Sequence, residues 1–135
     1  MATIQRFEDL QSWQKARQLA NAVYELTNQS GFAKDFRLRD QIRDAAGSVM
    51  HNIAEGFDSG TDPEFIRFLK IARRSASEVQ SELYLALDRK YIAPNELKTA
   101  YDLATEAKRL INGMIAYLRK QSSSRAAEHS QKRAK

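Results

Sequence analysis

Apolar residues recur at every third or fourth position through four long stretches of this sequence, and glycine or proline stands between the stretches. This period is typical of α-helices that bury one face. The pattern predicts helices over about residues 7–28, 35–56, 61–90 and 94–120. Amphipathic helices joined by short turns bury their apolar faces most economically in an antiparallel up-and-down arrangement. The sequence therefore predicts an all-α four-helix bundle.

The composition agrees with this fold class and limits the others. The 135 residues include only five glycines and two prolines, which is too few for a β-sandwich with many turns. Cysteine is absent, so disulfides, thiolate metal sites and cysteine nucleophiles are excluded. The first residues lack the apolar core of a signal peptide, and no apolar run is long enough to cross a bilayer. We therefore expect a cytoplasmic protein.

The positive charge is unevenly distributed along the chain. Residues 1–120 hold 18 Lys and Arg against 16 Asp and Glu, whereas residues 121–135 hold four basic residues and one acidic residue. The last segment also lacks large apolar side chains, so it cannot bury enough surface to offset the entropy of ordering. We therefore predict one bundle domain over residues 1–120 and a flexible basic tail over residues 121–135. Such a tail either binds an anionic partner such as nucleic acid or aids solubility.

Turn residues predict where the second helix ends and the third begins. Gly56 is expected to end the second helix in the left-handed conformation that glycine adopts readily. Thr61 and Glu64 have the spacing of a capping box, while Asp62 followed by Pro63 is the alternative start signal. Either signal begins the third helix at this point.

Antiparallel pairing of the second and third helices predicts two polar contacts between them. Counting outward from the turn places Glu55 near Glu64 or Arg67, so we expect an interhelical ion pair between Glu55 and Arg67. The same count places Asp44 opposite Ser75 or Arg74. Contacts of this kind would set the register of the two helices rather than perform chemistry.

Catalytic and metal-binding patterns are weak in this chain. His51 and Glu55 are spaced as two metal ligands on one helix could be, but the only other histidine, His129, lies in the predicted tail. The serines are not accompanied by a G-x-S-x-G motif, and neither a phosphate-binding loop nor a dinucleotide-binding fingerprint occurs. We therefore expect no enzymatic activity, no cofactor and no bound metal.

Basic residues concentrate on the third and fourth predicted helices. An ordinary solvated helix face is one explanation, and a phosphate-binding surface is the other. Assembly of several copies would repeat each patch and turn weak contacts into a multivalent one. The candidates for phosphate contacts are Arg67, Lys70, Arg73, Arg74, Lys108 and Arg109.

Several apolar residues fall outside the predicted inward stripes. A second apolar face on a helix is typical of a protein that buries it against another molecule. The pattern therefore indicates self-association, although the periodicity does not give the number of copies. The residues concerned are Leu19, Tyr24, Leu85, Leu87 and Leu103.

Four stretches stand in order along the chain: FEDLQSWQKARQLANAVYELT, QIRDAAGSVMHNIAEGF, EFIRFLKIARRSASEVQSEL and ALDRKYI. Over about residues 4–118 they resemble the four-helix-bundle proteins of the 23S rRNA intervening-sequence family. The family usually has a proline where this chain has Met50. A kink in the second helix that such a proline would cause is therefore not expected here. The matching motif positions are Asn52, Glu55 and Gly56 of an N-x-x-E-G core, Phe65, Phe68 and Leu69 at the start of the third helix, and Ser75 and Glu78 of an S-x-x-E element.

The resemblance implies a left-handed up-and-down bundle, commonly a homopentamer, without enzymatic activity. Such bacterial proteins are encoded within or beside insertions in 23S rRNA genes, and also elsewhere. A related branch, the accessory variability proteins of diversity-generating retroelements, forms basic pentameric barrels that bind reverse transcriptase and nucleic acid. We therefore predict a homo-oligomer that binds rRNA or other nucleic acid. The alternative is a protein-interaction scaffold, such as an accessory protein for a retroelement reverse transcriptase.

Overall fold

The computed structural model describes the backbone of residues 3–134 and the side chains of residues 3–130. This part of the chain contains helices and turns but no β-strand, so the predicted all-α class is confirmed. After a 3-10 turn at Phe7–Asp9, the helices are α1 (Gln11–Thr27), α2 (Ser30–Lys34), α3 (Phe36–Phe57), α4 (Asp62–Asp88) and α5 (Pro94–Ala134).

The four long helices pack in the cyclic order α1, α3, α4 and α5, and each contacts its two neighbours. Gly56 of α3 lies next to Phe68 of α4, whereas Ser48 of α3 contacts Ser75 of α4, so these two helices are antiparallel. The arrangement is the bundle that the four apolar stripes predict.

One apolar core runs through the centre of the bundle, and all four long helices contribute to it. Leu19 was predicted to lie outside this core, but its side chain is fully buried. It follows Ala16 by three residues and precedes Val23 by four, so it belongs to the same helical face as both. Tyr24 and Leu85 are exposed as expected, while Leu87 and Leu103 are half-buried against the core.

The short helix α2 was missing from the prediction, which placed only a short turn between residues 28 and 35. It carries Phe32 into the core, where the ring stacks on Tyr91 with the centroids 5.4 Å apart. Asp35 then caps α3, because its Oδ1 accepts a bond from the Leu38 N–H at 3.2 Å and its Oδ2 accepts one from the Tyr91 hydroxyl at 3.0 Å. The start of α3 is thus tied to the connection between α4 and α5.

The turn between α3 and α4 differs from the prediction in its glycines. Gly56 is buried inside α3, which ends one residue later, and Gly60 has the left-handed conformation with φ of 94°. Thr61 caps α4 as predicted, since its hydroxyl accepts a bond from the Glu64 N–H at 3.3 Å.

The last helix extends beyond its predicted end near Lys120 and continues to Ala134. Residues 121–134 contain no glycine or proline and several strong helix formers, so nothing in their sequence ends the helix. An ion pair of 2.9 Å joins Arg125 to Asp62 at the start of α4. The flexibility of this segment and its separation from the bundle domain stay predictions. Within the described residues, no helix has an apolar stretch suited to crossing a bilayer.

Candidate functional site

The N-x-x-E-G core and the start of α4 form a close helix–helix contact. A Cβ atom on Gly56 would lie 2.8 Å from the Phe68 Cβ and 2.9 Å from the Phe65 Cδ1, which is closer than carbon atoms pack. Glycine at this position therefore allows α3 to approach the two aromatic residues of α4. The motif positions Gly56, Phe65 and Phe68 therefore contribute to the packing of α3 against α4.

A hydrogen-bond chain continues the contact along α3 and α4. The Ser48 and Ser75 hydroxyls lie 2.8 Å apart, and the Asn52 amide donates to the Ser48 carbonyl at 2.8 Å and to its hydroxyl at 2.9 Å. Ser48 rather than Asp44 is therefore the partner of Ser75. The register is displaced by about one turn from the predicted one, because the packing of Gly56 sets it.

The predicted ion pair between Glu55 and Arg67 is absent from the described residues. Arg67 instead pairs with Glu64 of its own helix at 3.2 Å, and Glu55 is exposed on α3. Residues three apart on one helix are already neighbours, so this pair needs no particular interhelical geometry.

A buried carboxylate lies farther along the same pair of helices. Glu82 is 7% exposed, and its Oε2 has no hydrogen-bond partner in the described part of the chain. Burial, together with the carboxylates of Glu78 and Asp44, raises the pKa of Glu82 to about 8. Glu78, the last residue of the S-x-x-E element, thus helps to keep a proton on Glu82 at neutral pH.

Four of the six predicted phosphate-binding residues form a surface that we call the basic face of α4: Arg67, Lys70, Arg73 and Arg74. They line a shallow surface depression of about 460 Å³ together with Ile71. The Arg73 Nη1 donates to the Asn112 Oδ1 at 2.8 Å, so this face extends to α5. Of its four cations, only Arg67 forms an ion pair within the described residues.

The remaining two candidates, Lys108 and Arg109, lie on different sides of α5. The Lys108 Nζ donates to the Gln80 Oε1 at 3.0 Å, which places it beside α4 and one turn from Asn112. Arg109 instead pairs with Glu106 and lowers the pKa of that carboxyl, on the side of α5 that faces Lys15 of α1. The six predicted residues therefore do not form one patch.

An apolar groove of about 700 Å³ lies at the end of the bundle near the α3–α4 turn, and it was not among the sequence-based predictions. Its wall combines the segment before α1, the turn itself and one side of α5, so no single periodic stripe contains it. The apolar side chains that line it include Ile4, Phe57, Phe65, Met114 and Tyr117. The Arg109 side chain also borders this groove.

The possible metal ligands His51 and Glu55 are both exposed on α3. Among the described residues, no three or more His, Asp or Glu side chains lie close enough together to hold a metal ion. His129 is exposed near the end of α5. The structure thus does not bring these residues together into a site.

Residues 8–113 match the model of a family described as 23S rRNA-intervening sequence protein. The chain belongs to this family. All the motif positions from Asn52 to Glu78 lie inside the matched range, whereas the whole predicted basic tail lies beyond it.

One solved structure that is similar to this 23S rRNA-intervening sequence protein is described as a protein with unknown function from the S23 ribosomal protein family of Bacteroides thetaiotaomicron. The TM-score is 0.72 at 24% sequence identity, over 78% of this chain and 95% of that chain. At this identity the likeness supports the helical fold alone. No curated protein matches the chain significantly.

Proposed function

We propose that this family member is a non-catalytic homo-oligomer that binds RNA or DNA through the basic face of α4. The supporting observation is the density of cations there, since Arg67, Lys70, Arg73 and Arg74 occupy about two turns of one helix. Only one of these cations is paired with a carboxylate in the described residues. Unpaired cations at this spacing suit a phosphate backbone, whose counterions they release on binding. The family resemblance indicates a bacterial protein, and the cytoplasm is the proposed location.

Binding of this kind is expected to depend strongly on salt and little on base sequence. The basic face is a shallow depression on one helix, and contacts to phosphates position a protein without reading bases. Lys108 extends the face across the contact between α4 and α5. The basic residues after residue 120 would add electrostatic attraction at longer range.

Neutralising the basic face is expected to weaken binding to every nucleic acid. In the triple variant Lys70→Gln, Arg73→Gln, Arg74→Gln, we expect at least a tenfold lower affinity for rRNA fragments and for duplex DNA at low salt. The slope of log affinity against log salt should also become shallower by about 2 to 3, because each lost phosphate contact contributes nearly one unit. A filter-binding titration over a range of salt concentrations measures both quantities.

The matched control removes three cations that lie elsewhere: Arg6→Gln, Lys15→Gln, Lys98→Gln. Arg6 pairs with Glu8, Lys98 pairs with Asp102, and Lys15 donates to Gln18, and none of the three lines the depression on α4. Both triple variants change the net charge equally, and only the first should show the large loss. Equal losses in the two variants, or no affinity in the wild-type protein at low salt, would refute the proposal.

Self-association is part of the proposal because repeated basic faces would bind one nucleic acid together. The family resemblance indicates a pentamer, and exposed Leu85 provides apolar surface outside the core. Light scattering is expected to give a mass five times that of one 15.4 kDa chain. A monomer mass at micromolar concentration would contradict both the proposed assembly and the multivalent binding.

The alternative function is a protein-interaction scaffold, and the apolar groove near the α3–α4 turn supports it. A groove of about 700 Å³ lined by aromatic and aliphatic side chains resembles sites that accept apolar groups of a partner. A reverse transcriptase is the candidate partner by the family resemblance. A coding position beside a reverse transcriptase gene, together with wild-type affinity in the α4 triple variant, would favour this function.

A further inference from the structure

Near the start of α3, an arginine guanidinium lies over each of two exposed aromatic rings. The Arg39 Cζ lies 4.8 Å from the centroid of the Phe36 ring, and the Arg43 Cζ lies 4.6 Å from that of Tyr24. Phe36 is 64% exposed and Tyr24 is 48% exposed. Both side chains therefore keep solvent-accessible surface that a planar ligand could contact.

These four side chains form a continuous row across two helices, which we call the arginine–aromatic row. Phe36, Arg39 and Arg43 follow one another at spacings of three and four on α3, so they share one face of it. Arg43 then reaches Tyr24 on the neighbouring helix α1. The row places two positive charges between two aromatic rings.

Hydrogen bonds hold both guanidinium groups in place. The Arg43 Nε donates to the Thr27 Oγ1 at 2.7 Å, and its Nη2 donates to the Asn28 Oδ1 at 3.1 Å. The Arg39 Nη1 donates to the Ala33 carbonyl at 3.2 Å, and its Nε donates to the Asp40 carboxylate at 2.9 Å. A guanidinium has five N–H donors, so each group keeps donors for a phosphate.

The charge around the row is positive. Residues 34–44 contain four basic and three acidic residues, an excess of one positive charge. Of the acidic side chains, Asp35 caps α3 and Asp40 pairs with Arg39. The basic face of α4 lacks this combination, because the ring beneath Arg67 belongs to the half-buried Phe68.

We infer that the arginine–aromatic row binds single-stranded RNA or DNA, with unpaired bases stacked on Phe36 and Tyr24 and phosphates against Arg39 and Arg43. This inference rests on the nucleic-acid binding proposed above and adds the class of nucleic acid. Bases of a duplex are stacked inside it and offer no free face to these rings, whereas single strands are held by such stacking together with positive charge. The row therefore discriminates single strands from duplexes, while the basic face of α4 binds both.

Removing the two rings tests the inference directly. The double variant Tyr24→Leu, Phe36→Leu keeps apolar side chains and every charge. We expect its affinity for a fluorescent oligothymidylate to fall about tenfold or more, because stacking on aromatic side chains contributes strongly per base. Its affinity for a labelled DNA duplex, and the salt dependence of duplex binding, should equal those of the wild-type protein. Fluorescence anisotropy measures both probes.

A third exposed ring provides the matched control. Tyr84 on α4 is 49% exposed and packs edge-on against Tyr101, without an arginine over it among the described contacts. Tyr84→Leu should leave oligothymidylate affinity unchanged. Phe36→Leu alone, at the more exposed ring of the row, replaces the double variant if that protein does not fold by circular dichroism.

The outcomes separate this inference from the function on which it rests. Unchanged oligothymidylate affinity in the ring variants, with wild-type binding of both probes, would remove the row as a site and leave the α4 proposal standing. Equal losses of affinity for oligothymidylate and for the duplex would also contradict the inference, because the row is proposed to bind single strands and not duplexes. Absence of binding to either probe by the wild-type protein would overturn both proposals.

Discussion

Replacing Gly56 by alanine is expected to lower the free energy of unfolding by about 1 to 3 kcal/mol, although alanine is the better helix former. The added Cβ would lie 2.8 Å from the Phe68 Cβ and 2.9 Å from a carbon of the Phe65 ring. The Phe68 Cβ is attached directly to the backbone, so α3 and α4 would have to separate. Urea or guanidinium denaturation followed by circular dichroism measures the change.

Gly113 provides the control for this substitution. It also lies inside a long helix, but no atom outside its own helix backbone lies within 4 Å of an added Cβ. Gly113→Ala should therefore stabilise the protein by about 0.5 to 1 kcal/mol, through helix propensity alone. Stabilisation by Gly56→Ala as well would show that α3 and α4 do not pack as closely as described.

Replacing Glu82 by glutamine is expected to stabilise the protein increasingly as the pH rises. In the folded protein the pKa of Glu82 is raised to about 8 from an ordinary value of 4.5. Between these values the unfolded chain has lost the proton that the folded protein keeps, so wild-type stability falls as the pH rises. Above pH 8 both states are ionised and the loss is complete.

The size of this effect follows from the width of the pH window. The window is about 3.5 pH units wide and each unit costs up to about 1.4 kcal/mol, so a gain on the order of 4 kcal/mol is expected for Glu82→Gln at pH 8. The amide can also donate a hydrogen bond to the neighbouring carboxylate of Glu78. At pH 4 the two proteins should have similar stability, because Glu82 is then neutral in both states. Denaturation curves from pH 4 to pH 9 give the comparison.

The same chemical change at an exposed position provides the control for Glu82. Glu55 lies one helix away on α3 and forms no ion pair within the described residues. Glu55→Gln should change the free energy of unfolding by no more than about 0.5 kcal/mol. Parallel pH profiles for the wild-type and Glu82→Gln proteins would mean that Glu82 is not buried as a neutral acid.

The two stability predictions concern one surface, the contact between α3 and α4. Several positions that identify the family lie there: Gly56 accommodates Phe65 and Phe68, Asn52 and Ser75 join through Ser48, and Glu78 acts on Glu82. Their common effect is to hold two helices at a close distance and a single register. The proposed binding surfaces, by contrast, lie on the outer sides of the helices.

Local features of the sequence were sufficient for the fold class and for most helix limits. Burial of one helix face requires apolar residues every three or four positions, and a cap such as Thr61 acts within one turn of its own helix, so both are visible in the order of residues. The basic residues of α4 are also neighbours along the chain, and their common face follows from the helical period.

Only the tertiary structure decided how the helices meet. Four features depend on distances between residues far apart in the chain. They are the packing of Gly56 against α4, the hydrogen bond between Ser48 and Ser75, the raised pKa of Glu82 and the contact of Arg43 with Tyr24. The long last helix likewise required the structure, because a polar composition alone predicted a flexible tail. The periodicity of a helix determines which face is buried, but the register between two helices comes from the packing of particular side chains across their contact.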